Sequence, residues 1–251
     1  MKIDLTFGPA DFPTLRNRDL SASCCVVYDV FRATTTMTMA IANGAAGVIP
    51  VSDIEHAVEL GRKNPAWLLA GERNGFPITR EQSAYRDFDF GNSPREFHPE
   101  KVTGKTIVTT TTNGTRALNS VAHASLTLVG SFLNLRATLN AHLNSKKPEI
   151  VIVCSGTFED VAYEDVLGAG ALISRIVASQ SNCHLSDSAQ IALQIFELNA
   201  SDLMQAASFA TNGRKLLSIP SLREDVAVCL QTDTVDYPLA MVNGVVVKIA
   251  S

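Results

Sequence analysis

The sequence has no surplus of charge of either sign: 21 Lys and Arg face 25 Asp and Glu, a net charge of −4 over 251 residues. Neither sign forms a long run, so the basic footprint of a nucleic-acid-binding surface is missing. No apolar run approaches the roughly 20 residues that a membrane-spanning helix requires. The opening, MKIDLTF, moves straight into apolar–polar alternation, without the basic region, apolar segment and cleavage site of a secretory signal. A soluble cytoplasmic protein with neither nucleic-acid nor membrane partner is expected. The five cysteines, Cys24, Cys25, Cys154, Cys183 and Cys229, lack zinc-type spacing. Cys24, Cys25 and Cys154 lie in apolar runs, where a thiol is usually a small buried hydrophobe. The five histidines are scattered over helix and loop positions, and none is expected to be catalytic.

Hydrophobic residues make up 46% of the chain. That suffices for one α/β domain over 1–251, or two intimately packed subdomains near 1–148 and 149–251. Strands are expected at Lys2–Phe7, Cys24–Tyr28, Gly47–Val51, Trp67–Ala70, Thr106–Thr111, Leu126–Val129 and Glu149–Cys154. Helices are expected between them, then in succession after Tyr163. Ser52-Asp53-Ile54-Glu55 reads as a capping box, and Gly8–Asp19 as a loop. Asn243-Gly244 is a hairpin turn between Leu239–Val242 and Val245–Ile249. This alternation argues for a largely parallel sheet, made mixed by the hairpin and the first strand. Gly71–Pro99 is the longest irregular stretch, and such loops are usually functional or mobile.

The chemistry concentrates where buried strands stop. Cys24–Tyr28 ends at Asp29, followed by Phe31, Arg32 and three threonines before a helix. Three other strands end in Glu72, Arg73 and Asn74; in Thr111, Thr112, Asn113 and Thr115; and in Ser155, Thr157, Glu159 and Glu164. Parallel neighbours would bring all four clusters to one sheet edge, where α/β proteins bind ligands. Asp29 and Glu72, with one of Glu159, Glu164 or Asp165, form an oxygen-only set suited to Mg²⁺. The alternative is that these acids pair with Arg32, Arg73 or Arg116. Arginines in such loops also fit a small anionic phosphorylated substrate, because guanidinium grips oxyanions in a fork. Familiar phosphatase chemistries fail: Phe31 stands where a haloacid-dehalogenase-type enzyme needs aspartate, and Asp160 stands where a cysteine-dependent phosphatase needs arginine. There is no dinucleotide fingerprint and no P-loop lysine motif.

DVFRATTTM, GERNGFPI, FDFGNSP, TTTNGTRAL, GSFLN and CSGTFEDVAYEDVLGAGAL, in this order and spacing, resemble the 2-phosphosulfolactate phosphatases of the ComB family. The likeness runs from about Asp29 to Gly170, with a weaker echo in NGRKL, the Arg223–Cys229 helix and the final hairpin. It implies a three-layer α/β/α fold with a mixed, largely parallel sheet, often dimeric. It also implies Mg²⁺-dependent hydrolysis of (2R)-phosphosulfolactate to sulfolactate and phosphate, a step of coenzyme M biosynthesis. On this reading Asp29, Arg32 and Glu164 are catalytic, and Asp29, Glu72 and Glu164 hold Mg²⁺. Arg32, Thr34, Arg73, Asn74, Asn92, Thr111, Asn113, Gly114, Thr115, Arg116, Ser155 and Gly156 bind substrate. Asn212 departs from the family pattern, which has histidine there in many relatives. Two other readings are a phosphomonoesterase for another small phosphorylated acid and a non-catalytic binder of small anions.

Overall fold

The computed structural model describes residues 1–250. Its strands are β1 (Lys2–Thr6), β2 (Ser23–Tyr28), β3 (Gly47–Pro50), β4 (Leu68–Arg73), β5 (Phe76–Pro77), β6 (Thr106–Thr110), β7 (Leu126–Gly130), β8 (Glu149–Cys154), β9 (His184–Leu185), β10 (Leu239–Val242) and β11 (Val245–Lys248). Its helices are α1 (Phe12–Asn17), α2 (Ala33–Ala42), α3 (Ile54–Lys63), α4 (Arg80–Ser83), α5 (Pro99–Val102), α6 (Gly114–Ser120), α7 (Leu135–Ser145), α8 (Tyr163–Ser179), α9 (Asp187–Asn199), α10 (Leu203–Phe209), α11 (Thr211–Ser218) and α12 (Arg223–Cys229). Among the described residues, no helix is long and apolar enough to cross a membrane.

All strands join one mixed, mostly parallel sheet, in the order β5-β4-β6-β3-β11-β10-β7-β2-β8-β1-β9. Helices cover both faces, giving three α/β/α layers. The two-residue period of a strand explains the layering. In β2, Cys24, Val26 and Tyr28 enter a core shared with α7–α12, while Cys25 and Val27 enter one shared with α1, α2 and α6. β6 divides likewise: Ile107 faces the α2 side and Val108 packs with Ala57 and Val58 of α3. Strands buried on both faces read as unbroken apolar runs, as Cys24–Tyr28 does.

The terminal hairpin sits inside the sheet, between a block of β4, β6 and β3 and a block of β7, β2, β8 and β1. It is antiparallel to both neighbours, so the blocks run in opposite directions along the sheet. A flat sheet would send their carboxyl ends to opposite edges. They meet nonetheless: Thr112 N–H donates to Glu72 across one block, and Phe158 N–H donates to Asn113 between blocks. The sheet therefore coils around α2 and α6, as strand twist favours. Its joint is slender, a single residue pair on each side of the hairpin: Ala240 with Leu128, and Val246 with Val48.

Several local expectations are corrected. β1 is parallel to β8 and β9, so the antiparallel pairs come from the hairpin and β5; alternation reports burial, not direction. The cap of α3 is Asp53, whose carboxylate accepts the His56 N–H at 2.7 Å, rather than Ser52. Gly8–Asp19 contains α1, which buries Phe12 and Leu15. The strand expected to end at Ala70 continues to Arg73 and turns at Asn74-Gly75 into β5. Both turn residues have positive φ, 59° and 93°, the geometry that makes Asn-Gly a hairpin signal.

Candidate active site

Asp29 lies one residue past the end of β2, 7% exposed. The first turn of α2 is built around it. Its Oδ1 accepts the Ala33 N–H at 3.0 Å, placing a carboxylate at a helix N-terminus. The Thr34 hydroxyl lies 3.0 Å from the Asp29 nitrogen and donates to the Asp29 carbonyl at 2.9 Å. Thr34 is thus wholly engaged with Asp29's own backbone. Gly114 completes the setting: an added Cβ would sit 2.6 Å from both Asp29 Oδ2 and Ala33 Cβ, so only glycine lets α6 approach this closely. Burial pushes the Asp29 carboxyl up from 3.8 to about 6 against the Ala33 bond, and nearby Glu72 adds to the rise.

Glu72 stands within β4, and its two oxygens are clasped. Oε1 accepts the Thr112 N–H at 3.0 Å and the Thr112 hydroxyl at 2.9 Å; Oε2 accepts the Gly75 N–H at 2.8 Å. Glu72 thereby ties the β4–β5 turn to the end of β6.

Glu164 and Asp165 open α8 and are both buried. Asp165 is fully bonded: Oδ1 accepts the Val30 N–H, and Oδ2 accepts the Ser155 hydroxyl and the Gly156 N–H. Ser155 and Gly156 are accordingly tied inward, joining the turn after β8 to the end of β2. Glu164 Oε1 accepts a hydrogen bond from Asn212 Nδ2 at 2.6 Å, while Oε2 is buried without a partner among the described residues. Burial pushes Glu164 up from 4.5 to about 7, against the Asn212 bond, and Asp29 adds to the rise. Asp165 is also raised, first by burial and then by Asp29 and Glu164. No group of three or more His, Cys, Asp or Glu among the described residues is gathered as metal ligands. Asp29, Glu72 and Glu164 therefore do not form one preassembled set: Glu72 is clasped by its loop, and Glu164 lies behind Asn212. Burial also pushes the Cys154 thiol well above its ordinary value, the opposite of what a nucleophilic thiolate needs.

A small cleft of about 70 Å³ opens above these strand ends. Asp29, Arg32, Glu72, Asn74, Asn92, Thr111 and Asn113, all candidates from the sequence, line it. The other candidates, Thr34, Arg73, Gly114, Thr115, Arg116, Glu164, Ser155 and Gly156, support its walls or lie outside. Thr115 is buried, its hydroxyl donating to the Thr111 carbonyl at 3.1 Å. Arg73 folds back onto the Glu72 and Thr110 carbonyls and the Thr110 hydroxyl. Arg116 points to the exposed Glu159, 3.2 Å away. Arg32 is 3% exposed, with Nη1 bonded to Asp225 Oδ2 at 2.7 Å and Nη2 to the Gly75 carbonyl at 3.0 Å.

Sequence reading missed Asp225 as Arg32's partner, and Asn212, Lys215, Leu216 and Leu222 as cleft residues. The signal for the last four was the NGRKL echo and the adjoining helix, which carry no strand-end pattern. GSFLN, by contrast, lies outside the cleft: Ser131 and Asn134 bond each other at the end of β7, and Ser131 also meets Thr38.

The fold and site together define an α/β/α protein with a small-ligand cleft at converging strand ends, lined by two acids, two cations and several amides. Residues 11–243 match the family described as 2-phosphosulpholactate phosphatase, and the chain belongs to that family. A protein of Caldanaerobacter subterraneus subsp. tengcongensis named "Probable 2-phosphosulfolactate phosphatase" is 37% identical over 94% of each chain. One of Thermotoga maritima with the same name is 38% identical over 88% of this chain and 89% of its own. A third, of Clostridium acetobutylicum, is 31% identical over 97% and 99% respectively.

Proposed function

We propose that this protein is a Mg²⁺-dependent phosphoric monoester hydrolase that converts 2-phosphosulfolactate to sulfolactate and phosphate. One observation carries the reading. Five of the six segments that resemble the family, and the NGRKL echo, send residues into a single cleft: Asp29, Glu72, Asn92, Asn113, Thr157 and Asn212. Segments that served only to pack the core would have no reason to converge there.

Asp29 is the acid to which the reacting phosphoryl group would be brought, being the acid of the raised trio that lines the cleft. Mg²⁺ would be held by Asp29, with waters and phosphate oxygens completing its shell, and would supply neutralisation of phosphate charge. An oxygen donor of this kind fits the ion, and Mg²⁺ needs only one or two protein carboxylates. Asn74, Asn92 and Asn113 offer amide donors to the substrate's oxyanions. In hydrolysis a water oxygen joins phosphorus, the bond from phosphorus to the ester oxygen breaks, and the departing alkoxide takes up a proton.

The test is phosphate release from phosphosulfolactate, phospholactate and phosphoglycolate, with Mg²⁺ and with chelator. The reading expects Mg²⁺-dependent release, fastest from the sulfonated ester. Release from the other two alone would keep the chemistry and discard the substrate. A folded protein that binds sulfolactate but releases no phosphate from any ester would leave only an anion binder. Hydrolysis of an ester made chiral at phosphorus with oxygen isotopes adds the attacking group: inversion at phosphorus is expected, and net retention would overturn direct attack by water.

A further inference from the structure

The cations expected to grip the substrate are engaged elsewhere. Arg32 is paired with Asp225, Arg73 is folded onto its own strand ends, and Arg116 is paired with Glu159. Lys215 differs from all three. It lies one turn along α11 from Asn212, on the same helix face, and it lines the cleft. Among the described residues its ammonium forms no ion pair within 4.0 Å. It is exposed, and of the two cations that line the cleft it is the one without an ion-pair partner among the described residues.

Its position is as informative as its freedom. A second cavity of about 230 Å³ adjoins the cleft, and Arg32, Gly75, Asn92 and Leu222 line both. A Cβ built on Gly75 would lie 4.0 Å from Lys215 Nζ and 4.0 Å from Leu222 Cδ1. Lys215 lines the first space, as Asp29 and Asn113 do, but its ammonium stands beside Gly75, which lines both, and so next to their junction. The second cavity's own charges are balanced: Arg95 pairs with Glu224 and Asp225, Arg32 with Asp225, and the Glu96 carboxylate is also in its lining. An acid group entering from the first cleft would meet its free counter-charge at Lys215.

We propose that Lys215 is a specificity-determining residue that binds the substrate's non-transferred anionic group at this junction, while the phosphoryl group lies towards Asp29. An ammonium carries three donors on a flexible stem and suits a carboxylate or sulfonate oxygen equally. The inference rests on the phosphatase reading for its substrate, and the test separates the two.

The full chain and its Lys215→Ala and Lys215→Arg variants are assayed on phosphosulfolactate, 2-phospholactate and isopropyl phosphate. These carry two, one and no additional anionic groups on the same ester. Lys215→Ala should lose kcat/KM on phosphosulfolactate by at least about tenfold more than on isopropyl phosphate, as expected for a lost charge-assisted contact. Lys215→Arg should restore part of the difference. The 2-phospholactate arm assigns the contact to the carboxylate if the loss persists there, or to the sulfonate if it disappears. Equal losses on all three esters would place Lys215 at the phosphoryl group and overturn the inference, as would no loss on any. Calorimetric binding of sulfolactate gives a readout independent of turnover. If the wild-type protein cleaves none of the esters, the phosphatase reading fails. The inference then stands if Lys215→Ala weakens sulfolactate binding at least about tenfold, and falls if binding is unchanged.

Discussion

The two walls of the cleft bury carboxylates under opposite conditions. On the β4/β6 wall, Glu72 accepts three hydrogen bonds, two from Thr112 and one from Gly75. On the β2/α8 wall, Asp29, Glu164 and Asp165 are crowded among one another, and Glu164 has an oxygen without a partner among the described residues. The contrast teaches what burial does to an acid. With donors on both oxygens it becomes a clasp that fixes a loop. Buried beside like charges it holds its proton to a higher pH, even where, as at Asp165, donors meet both oxygens. The first condition builds the cleft's shape, and the second leaves Asp29 at the cleft with its carboxyl raised to about 6. The cations divide in the same way, Arg32 locked against Asp225 and Lys215 left open.

The locked pair offers the largest effect. Asp225 is fully buried and accepts from Arg32, Ser93 and Arg95. Asp225→Ala would leave the Arg32 guanidinium buried without its counter-charge, which should cost about 3–5 kcal/mol of unfolding free energy. Urea titration measures it. A loss below about 1 kcal/mol would show that Arg32 finds water, and the contrast between locked and open cations would break. Asp29→Asn comes next. It keeps the acceptor for the Ala33 N–H and so the start of α2, while removing the charge. Phosphate release should fall by at least about a hundredfold, with thermal stability retained. Activity within threefold of wild type would move the chemistry to the other wall.

How much of this was legible in the sequence follows from the same physics. Strand ends could be read because an apolar run must stop at something polar, and Asp29, Glu72, Asn113 and Thr157 stood at those stops. Their convergence could be argued from parallel neighbours, although the actual sheet reaches it by coiling between two opposed blocks. What stayed hidden was each side chain's partner. Nothing in DVFRA says that Arg32 will meet Asp225, 193 residues away, or that Ser155 and Gly156 will turn inward to Asp165. Local pattern cannot report long-range pairing. Asn212 and Lys215 were missed for a related reason: they sit on a short polar helix that looks like ordinary surface until it folds over the cleft.

A smaller effect sharpens the comparison through pH. The Glu164 carboxyl rises from 4.5 to about 7 on folding, so between those values the folded chain holds a proton that the unfolded chain has released. Stability conferred by the neutral form is fully present below about pH 4.5 and is lost as pH rises through about 7. The slope is at most about 1.4 kcal/mol per pH unit for one proton. Glu164→Gln should flatten that fall, as read from thermal midpoints at pH 5, 6, 7 and 8. An unchanged slope would assign the proton to Asp29 or Asp165 instead.

The smallest effect tests whether the family motif or the geometry better assigns Arg116. The resemblance makes it a phosphate ligand, whereas the structure turns it outside the cleft to Glu159, with the two side chains 39% and 72% exposed. A surface pair of this kind contributes less than about 1 kcal/mol. Arg116→Ala should therefore shift the thermal midpoint by no more than about 2 °C and kcat/KM by no more than about threefold, in contrast to Lys215→Ala. A hundredfold loss confined to catalysis would mean that Arg116 swings from Glu159 into the cleft when substrate binds. The open cation at the junction would then have a second, conditional companion.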